Sequence, residues 1–259
     1  MKKVLNCVVQ SNEQLNHQNN LLKLTPASGE KWANAYPGQF VQILVENSSS
    51  TFLRRPISVN FIDTLRNELW VLVQHVGEGT KHICAISVGS TLNIVFPLGN
   101  TFTIPADTSH KLLLVGGGVG TAPMLFLGKL CAEKGFNVDF LLGGRSERDL
   151  LQLADFSRYG NVYCTTEDGS KGEKGFVTHH SILKNKTYDF IYTCGPKPMM
   201  VAVANYAHEH HIECEVSLEN LMACGFGACL CCVEKTVRGN VCACTEGPVF
   251  NIKELTWID

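Results

Sequence analysis

Residues 111–123 read KLLLVGGGVGTAP, and this stretch sets how the rest of the chain is parsed. Lys111–Val115 is a continuous apolar run, as expected of a strand buried on both faces. Glycines follow, and Ala122 to Lys134 then has the spacing of an amphipathic helix. A glycine loop between a strand and a helix has a specific use. With no Cβ atoms in the way, its backbone amides can close on a pyrophosphate at the helix N-terminus. The match to G-x-G-x-x-G is imperfect: Gly118 and Gly120 fit, and Pro123 takes the third place. No acidic residue closes the next apolar run, Val138–Leu142. Gly143-Gly144-Arg145-Ser146 stands there instead, which leaves the choice between NADH and NADPH open. Taken alone, the loop is equally a tight turn with no ligand.

Toward the C-terminus the pattern recurs. Phe190–Tyr192 is followed by the turn Cys194-Gly195-Pro196 and a helix-like Pro198–His211. Strand and helix alternating in this way imply a parallel α/β sheet. Toward the N-terminus the first hundred residues read differently. Val4–Val9, Asn20–Thr25, Gln39–Val45, Ile57–Ile62, Leu69–Val76 and Thr91–Phe96 are short β-type runs separated by turn residues, with one short helix near Thr80–Ile86. That spacing suggests a small antiparallel barrel or sandwich. The fold class expected is therefore α+β and multi-domain: an antiparallel β-barrel over 1–105, a parallel α/β domain over 106–215, and a small C-terminal domain over 216–259.

Composition bounds the function. The 259 residues are 45% hydrophobic and 18% charged, as in ordinary globular proteins. With 22 Lys+Arg against 24 Asp+Glu the net charge is −2, so no global pull toward nucleic acid or a membrane surface is expected. The longest uncharged apolar stretch, Leu112–Gly128, is 17 residues with five glycines and a proline, a poor fit to the roughly 20 apolar residues of a membrane span. The N-terminus lacks the apolar core of a signal peptide, so a cytoplasmic location is expected.

Six of the twelve cysteines fall between positions 224 and 244: Cys224, Cys229, Cys231, Cys232, Cys242 and Cys244. In a reducing compartment such a cluster reads as a metal site rather than a disulfide framework. Cys224-x4-Cys229-x2-Cys232 is the plant-type spacing for a [2Fe-2S] cluster. The loop must wrap an inorganic rhomb so that two thiolates reach each iron, and Gly225, Gly227 and Ala228 let backbone amides approach the sulfides. Four thiolates also suit tetrahedral zinc, although zinc sites usually pair their ligands as C-x2-C twice. Spacing leaves the fourth ligand open between Cys242 and Cys244. Cys231 adjoins Cys232 and cannot point the same way. The segment is too short and irregular for a core of its own, so something other than packing is expected to hold it.

Weaker signals have plainer readings. Arg54-Arg55-Pro56-Ile57-Ser58, followed by Gly77-Glu78-Gly79-Thr80, could hold an anionic group and a ring edge, or be a solvated strand edge. His208, His210 and His211, and the pair His179-His180, read as solvated faces. Cys7, Cys84, Cys131, Cys164 and Cys214 read as core residues.

Taken together, R-P-x-S in a barrel, G-G-G-x-G-x-x-P in a nucleotide domain and a later Cys194-Gly195-Pro196 resemble the ferredoxin–NADP reductase superfamily. The C-terminal cysteines ending in Glu246-Gly247-Pro248-Val249-Phe250 narrow the resemblance to the electron-transfer subunits of dihydroorotate dehydrogenase B, over essentially the whole chain. The resemblance implies that Arg55, Pro56, Ile57 and Ser58 bind FAD, with Leu72, Val73, Gln74, Gly79 and Thr80 along the flavin and its phosphates. It also implies that Gly118, Gly120 and Cys194 lie at the nicotinamide nucleotide, and it favours Cys244 over Cys242 beside Cys224, Cys229 and Cys232. Electrons are then expected to pass from the FMN of a catalytic partner through a [2Fe-2S] cluster and FAD to NAD+ in pyrimidine (UMP) biosynthesis. The expected assembly is a heterotetramer with two subunits of each kind, and no dihydroorotate-binding catalytic residue is expected here. Two departures stand out: Ile57 replaces the tyrosine of many superfamily members, and Cys231 and Cys242 are additional thiols. Two other functions compete. One is the small subunit of a ferredoxin:NADP oxidoreductase or sulfide dehydrogenase complex; the other is a zinc-stabilised binding module with no redox role.

Overall fold

The computed structural model describes residues 2–32, 35–46, 48 and 50–258. The first six strands are β1 (Lys3–Asn16), β2 (Asn19–Pro26), β3 (Phe40–Ile43), β4 (Arg55–Asp63), β5 (Glu68–Gln74) and β6 (Thr91–Leu98), with helix α1 (Glu78–Cys84) before β6. They close an antiparallel barrel in the order β1-β2-β5-β4-β3-β6. Its interior is the alternating apolar set expected of period-2 strands, including Val9, Leu22, Leu24, Val41, Ile43, Val59, Val71 and Val73. β1 runs to Asn16, well past the Val4–Val9 read from sequence, because its polar second half is held by specific bonds rather than by alternation. Asn12 Nδ2 donates to the carbonyls of Cys84 and Ile86, both at 2.8 Å.

The α/β part begins with β7 (Lys111–Gly117) and α2 (Ala122–Glu133). It continues through β8 (Asn137–Gly144), α3 (Leu153–Phe156), β9 (Asn161–Thr166), β10 (Glu173–Lys174), α4 (Ile182–Asn185), β11 (Phe190–Cys194), α5 (Lys197–Glu209) and β12 (Glu213–Ser217). The sheet order is β10-β9-β8-β7-β11-β12-β15, parallel from β10 to β12. β15 (Val249–Asn251) adds antiparallel to β12. The chain leaves β7 in opposite directions for β8 and β11, so the carboxyl ends of β7 and β11 flank a topological switch point, where open α/β sheets place ligands.

The C-terminal segment carries a hairpin of β13 (Val233–Thr236) and β14 (Gly239–Cys242) before β15. The expectation that something other than packing must hold it needs correction. Cys232, Ala243, Cys244, Phe250, Ile252 and Leu255 are buried in one core with Phe40 and Leu98 of the barrel and Val115 and Val216 of the sheet. The segment has too few apolar residues for a core of its own, and it borrows one from both neighbours. Backbone bonds fasten the seam: Asn100 N–H donates to Gly247 O at 2.6 Å, and Leu218 N–H to Pro248 O at 2.9 Å.

Among the secondary readings, Cys7, Cys84, Cys131 and Cys214 are core residues, and Cys164 is half-buried. His179 is exposed beside Phe176, as a solvated residue should be, whereas His180 is buried, contrary to a solvated role. His180 Nδ1 accepts Ile182 N–H at 3.0 Å and its ring packs edge-on against Tyr163, and burial lowers its pKa. His208, His210 and His211 are exposed, with His210 stacked on Tyr206. No helix among the described residues is long and apolar enough to cross a membrane.

Candidate functional site

The R-P-I-S strand sits where the barrel opens. Arg55–Ser58 of β4 pair with β3, from Ile43↔Arg55 to Phe40↔Ser58. On the other side β4 pairs with β5 only from Val59↔Val71 onward. Leu72–Gln74 of β5 meanwhile stay paired to β2. The two strand ends therefore splay apart, leaving backbone donors and acceptors on their facing edges. Leu72 packs outward beside Ala122, Val119 and Leu151 of the α/β part, and Gln74 lies on the same face. Val73 points into the barrel core, so only its backbone faces the opening.

At the open end, Arg55 lies across the start of α1. A Cβ on Gly79 would fall 2.5 Å from Arg55 Nε, so glycine is what lets the guanidinium close on that backbone. Thr80 is buried and folds back: its hydroxyl accepts from Val76 N–H (3.0 Å) and Gly77 N–H (3.2 Å) and donates to Gly77 O (3.1 Å). A fixed guanidinium over tightly turned glycine backbone suits a phosphate group. Arg55, Pro56, Ile57 and Ser58 are all half-buried, and Ile57 leans on the barrel core.

The glycine loop lies at the switch point. Gly118 has φ +56° and opens a short 3₁₀ turn that leads into α2. Gly120 is in contact with the turn after β11: a Cβ there would meet Gly195 Cα at 2.4 Å and N at 2.5 Å. The two loops expected at a nicotinamide nucleotide are thus packed backbone to backbone. Cys194 beneath them is fully buried, and burial pushes its thiol well up, with the Glu219 charge adding to the rise. Glu219 is exposed by surface area, yet the protein around its carboxyl desolvates it enough to raise its pKa as well. Glu219 was missed in the sequence, where a single acidic residue after a strand carries no signal.

The cysteine loop is built around its sulfurs. Phe226 N–H donates to Cys224 Sγ at 3.3 Å, Gly227 N–H to Cys244 Sγ at 3.1 Å, and Cys244 N–H to Cys232 Sγ at 3.4 Å. Gly225 (φ +75°), Gly227 (φ +81°) and Leu230 (φ +55°) take left-handed conformations that turn successive amides inward. The Phe226 N–H, helped by Ala228 and Cys229, draws the Cys224 thiol down to about 6, while burial pushes Cys244 to about 12. Cys232 and Cys244 are buried, Cys224 is half-buried, and Cys229 is exposed at the rim. Cys231 is exposed beside Cys232. Cys242 is half-buried, with its thiol 3.9 Å from Gly227 O. A set of cysteine sulfurs with amide N–H groups directed at them fits an anionic iron–sulfur cluster, to which they would bind as thiolates.

An antiparallel barrel against a nucleotide-binding sheet, with a thiolate loop at the seam, defines a ferredoxin reductase-type electron-transfer protein. Residues 219–256 match the iron–sulfur cluster binding domain of dihydroorotate dehydrogenase B, and residues 114–205 match an oxidoreductase NAD-binding domain. Proteins named dihydroorotate dehydrogenase B (NAD(+)), electron transfer subunit, are similar over most of the chain. That of Fusobacterium nucleatum is 35% identical, covering 96% of each chain. That of Listeria innocua is 40% identical, covering 88% of this chain and 91% of its own. The chain belongs to this family of electron transfer subunits. Among solved structures, that of the NADH-dependent reduced ferredoxin-NADP oxidoreductase, studied for flavin-based electron bifurcation, superposes with a TM-score of 0.86 at 29% identity. It covers 98% of this chain and 90% of its own. The FAD/NAD-binding domain of a Vibrio cholerae nitric oxide dioxygenase shares the fold, with a TM-score of 0.70 at 19% identity over 82% of this chain and 98% of that one.

Proposed function

We propose that this chain is the electron-transfer subunit of an NAD-dependent dihydroorotate dehydrogenase, linking a catalytic partner that carries FMN to NAD+. The observation that carries the reading is the juxtaposition of three prepared sites along one seam. They are the splayed β4/β5 corner with Arg55 over Gly79, the Gly120–Gly195 contact, and the amide-ringed thiolates. A nicotinamide exchanges hydride and an iron–sulfur cluster single electrons, and a bound flavin does both.

Within that scheme each residue has a task. Arg55, Gly79 and Thr80 hold the flavin's phosphates, and Pro56, Ile57, Ser58, Leu72, Val73 and Gln74 hold its ring system. Gly118, Gly120 and Cys194 form the nucleotide floor, and Cys224, Cys229, Cys232 and Cys244 ligate a [2Fe-2S] cluster. Residues 1–105, 106–215 and 216–259 are the corresponding units. Leu221, Phe226 and Leu230 are exposed apolar side chains around the exposed Cys229. This patch suits the docking face for the partner, in an assembly of two subunits of each kind.

The test is to isolate the tagged chain anaerobically with its bound partner and assay dihydroorotate-dependent reduction of NAD+. Activity that requires both chains is expected. A complex that oxidises NADH with artificial acceptors but ignores dihydroorotate would overturn the partner assignment.

A further inference from the structure

Gln42 on β3 is fully buried, and neither its Nε2 nor its Oε1 has a hydrogen-bond partner among the described residues. A buried amide left in that state forfeits its hydration with no hydrogen bond in return. Its direction is fixed by strand alternation. Val41 and Ile43 enter the barrel core, whereas Phe40 and Gln42 face the core shared with the cysteine loop. Pro56 lies directly opposite Gln42 on β4, and Ser58 opposite Phe40, so the R-P-I-S residues are Gln42's neighbours on the same face. Arg54 pins the strand from outside, donating through Nη1 to Gln42 O at 3.2 Å and Asn93 O at 3.0 Å.

The amide faces the loop directly after Cys224. A Cβ on Gly225 would lie 3.1 Å from Gln42 Nε2 and 3.2 Å from its Cγ. One unsatisfied donor thus spans the gap between the proposed flavin strand and the thiolate loop.

We infer that Gln42 Nε2 donates an N–H to a sulfur of the cluster held by that loop, making it a positioning residue that also raises the cluster's reduction potential. This rests on the [2Fe-2S] reading above. An N–H aimed at cluster sulfur stabilises the additional negative charge of the reduced state, and such bonds are among the levers that set these potentials. Because the same residue borders Pro56, it also fixes the spacing between the two redox sites.

The test is an EPR-monitored redox titration of the full chain as purified with its cofactors, comparing wild type with Gln42→Met and Gln42→Glu. Met keeps length and packing without the donor. Both variants are expected to retain iron and FAD and to shift the cluster to lower potential, with Glu shifting it further and the flavin couple unmoved. A shift of about tenfold in the cluster's redox equilibrium corresponds to 59 mV for one electron. Iron-loaded variants with unchanged cluster potential and g values would overturn the inference. Should the variants fail to load iron, pulsed EPR on reduced wild type labelled with ¹⁵N in its glutamine amides decides. Coupling to an amide nitrogen that is not backbone supports the role, and no such coupling overturns it. A wild-type preparation carrying zinc and no acid-labile sulfide would instead remove the cluster reading on which the inference stands.

Discussion

The glycine loop and the cysteine loop are both glycine-rich, yet their glycines answer to different partners. At Gly120 the demand comes from the protein itself, since a Cβ would meet Gly195 at 2.4 Å. At Gly225 and Gly227 it comes from conformation, with φ of +75° and +81° turning amides toward sulfurs. The first loop is therefore a structural joint, which the proposed function also uses as a nucleotide site. The second adopts an expensive backbone whose return comes from what the thiolates bind. Damage to the first should cost the fold, and damage to the second should cost a cofactor.

The largest expected effect follows from the second half of that contrast. Cys229→Ala removes the proposed rim ligand, which has no packing role since Cys229 is exposed. Iron content should fall to background and dihydroorotate-linked NAD+ reduction should be lost, while FAD content and NADH oxidation with ferricyanide persist. Iron and flavin assays on one preparation check it.

Next, Gly120→Ala forces backbone from backbone and should destabilise the protein by about 2–3 kcal/mol whether or not iron is present. Gly227→Ala incurs about 1–2 kcal/mol of left-handed strain and brings a Cβ within 3.0 Å of Thr245 Cγ2, and should lower iron loading more than it lowers Tm. Equal thermal shifts for the two variants would erase the distinction between the loops.

Arg55→Ala should weaken FAD binding about 10–100-fold, the range for losing hydrogen bonds to a charged group, with little change in iron content. Flavin retention on dilution measures this directly.

The smallest effect lies far from both loops. Burial alone would raise the Asp139 carboxyl, but Lys186 Nζ (2.7 Å), Asn161 Nδ2 (2.8 Å) and Tyr188 OH (2.8 Å) outweigh it and hold the pKa below the usual range. A depressed folded-state pKa means stability that is full above the ordinary carboxylate value and is lost as pH falls through the folded one. Asp139→Asn should cost about 2 kcal/mol at pH 7, reduced from a fully buried pair because Lys186 is 40% exposed, and should flatten the acid limb of the stability profile. The flavin and cluster spectra should not change.

What could be read from the sequence was what local backbone geometry forces. The Cys224–Cys232 spacing, the Gly118–Pro123 loop and the alternation of β2 to β6 each declare themselves within a short window. The polar half of β1 did not, since side-chain bonds such as Asn12 to Cys84 O hold it, and the short β9, β10, α3 and α4 offer too few residues to show a period. His180 was misread because its burial comes from Tyr163 and the turn before α4, distant in sequence or invisible to pattern. Gln42 and Glu219 gain meaning only once β3 meets the Cys224 loop and the end of β12 meets Cys194. The shared core under Cys232 and Cys244 is likewise a property of three segments together.

Electron conduction between a nicotinamide and a cluster through a bound flavin is tested by anaerobic rapid mixing of the purified chain with NADH, following flavin absorbance and the cluster EPR signal. Flavin bleaching followed by appearance of a reduced [2Fe-2S] signal is expected, and in the Cys229→Ala variant bleaching alone. Bleaching in wild type with no cluster signal, or zinc in place of iron and sulfide, would contradict it.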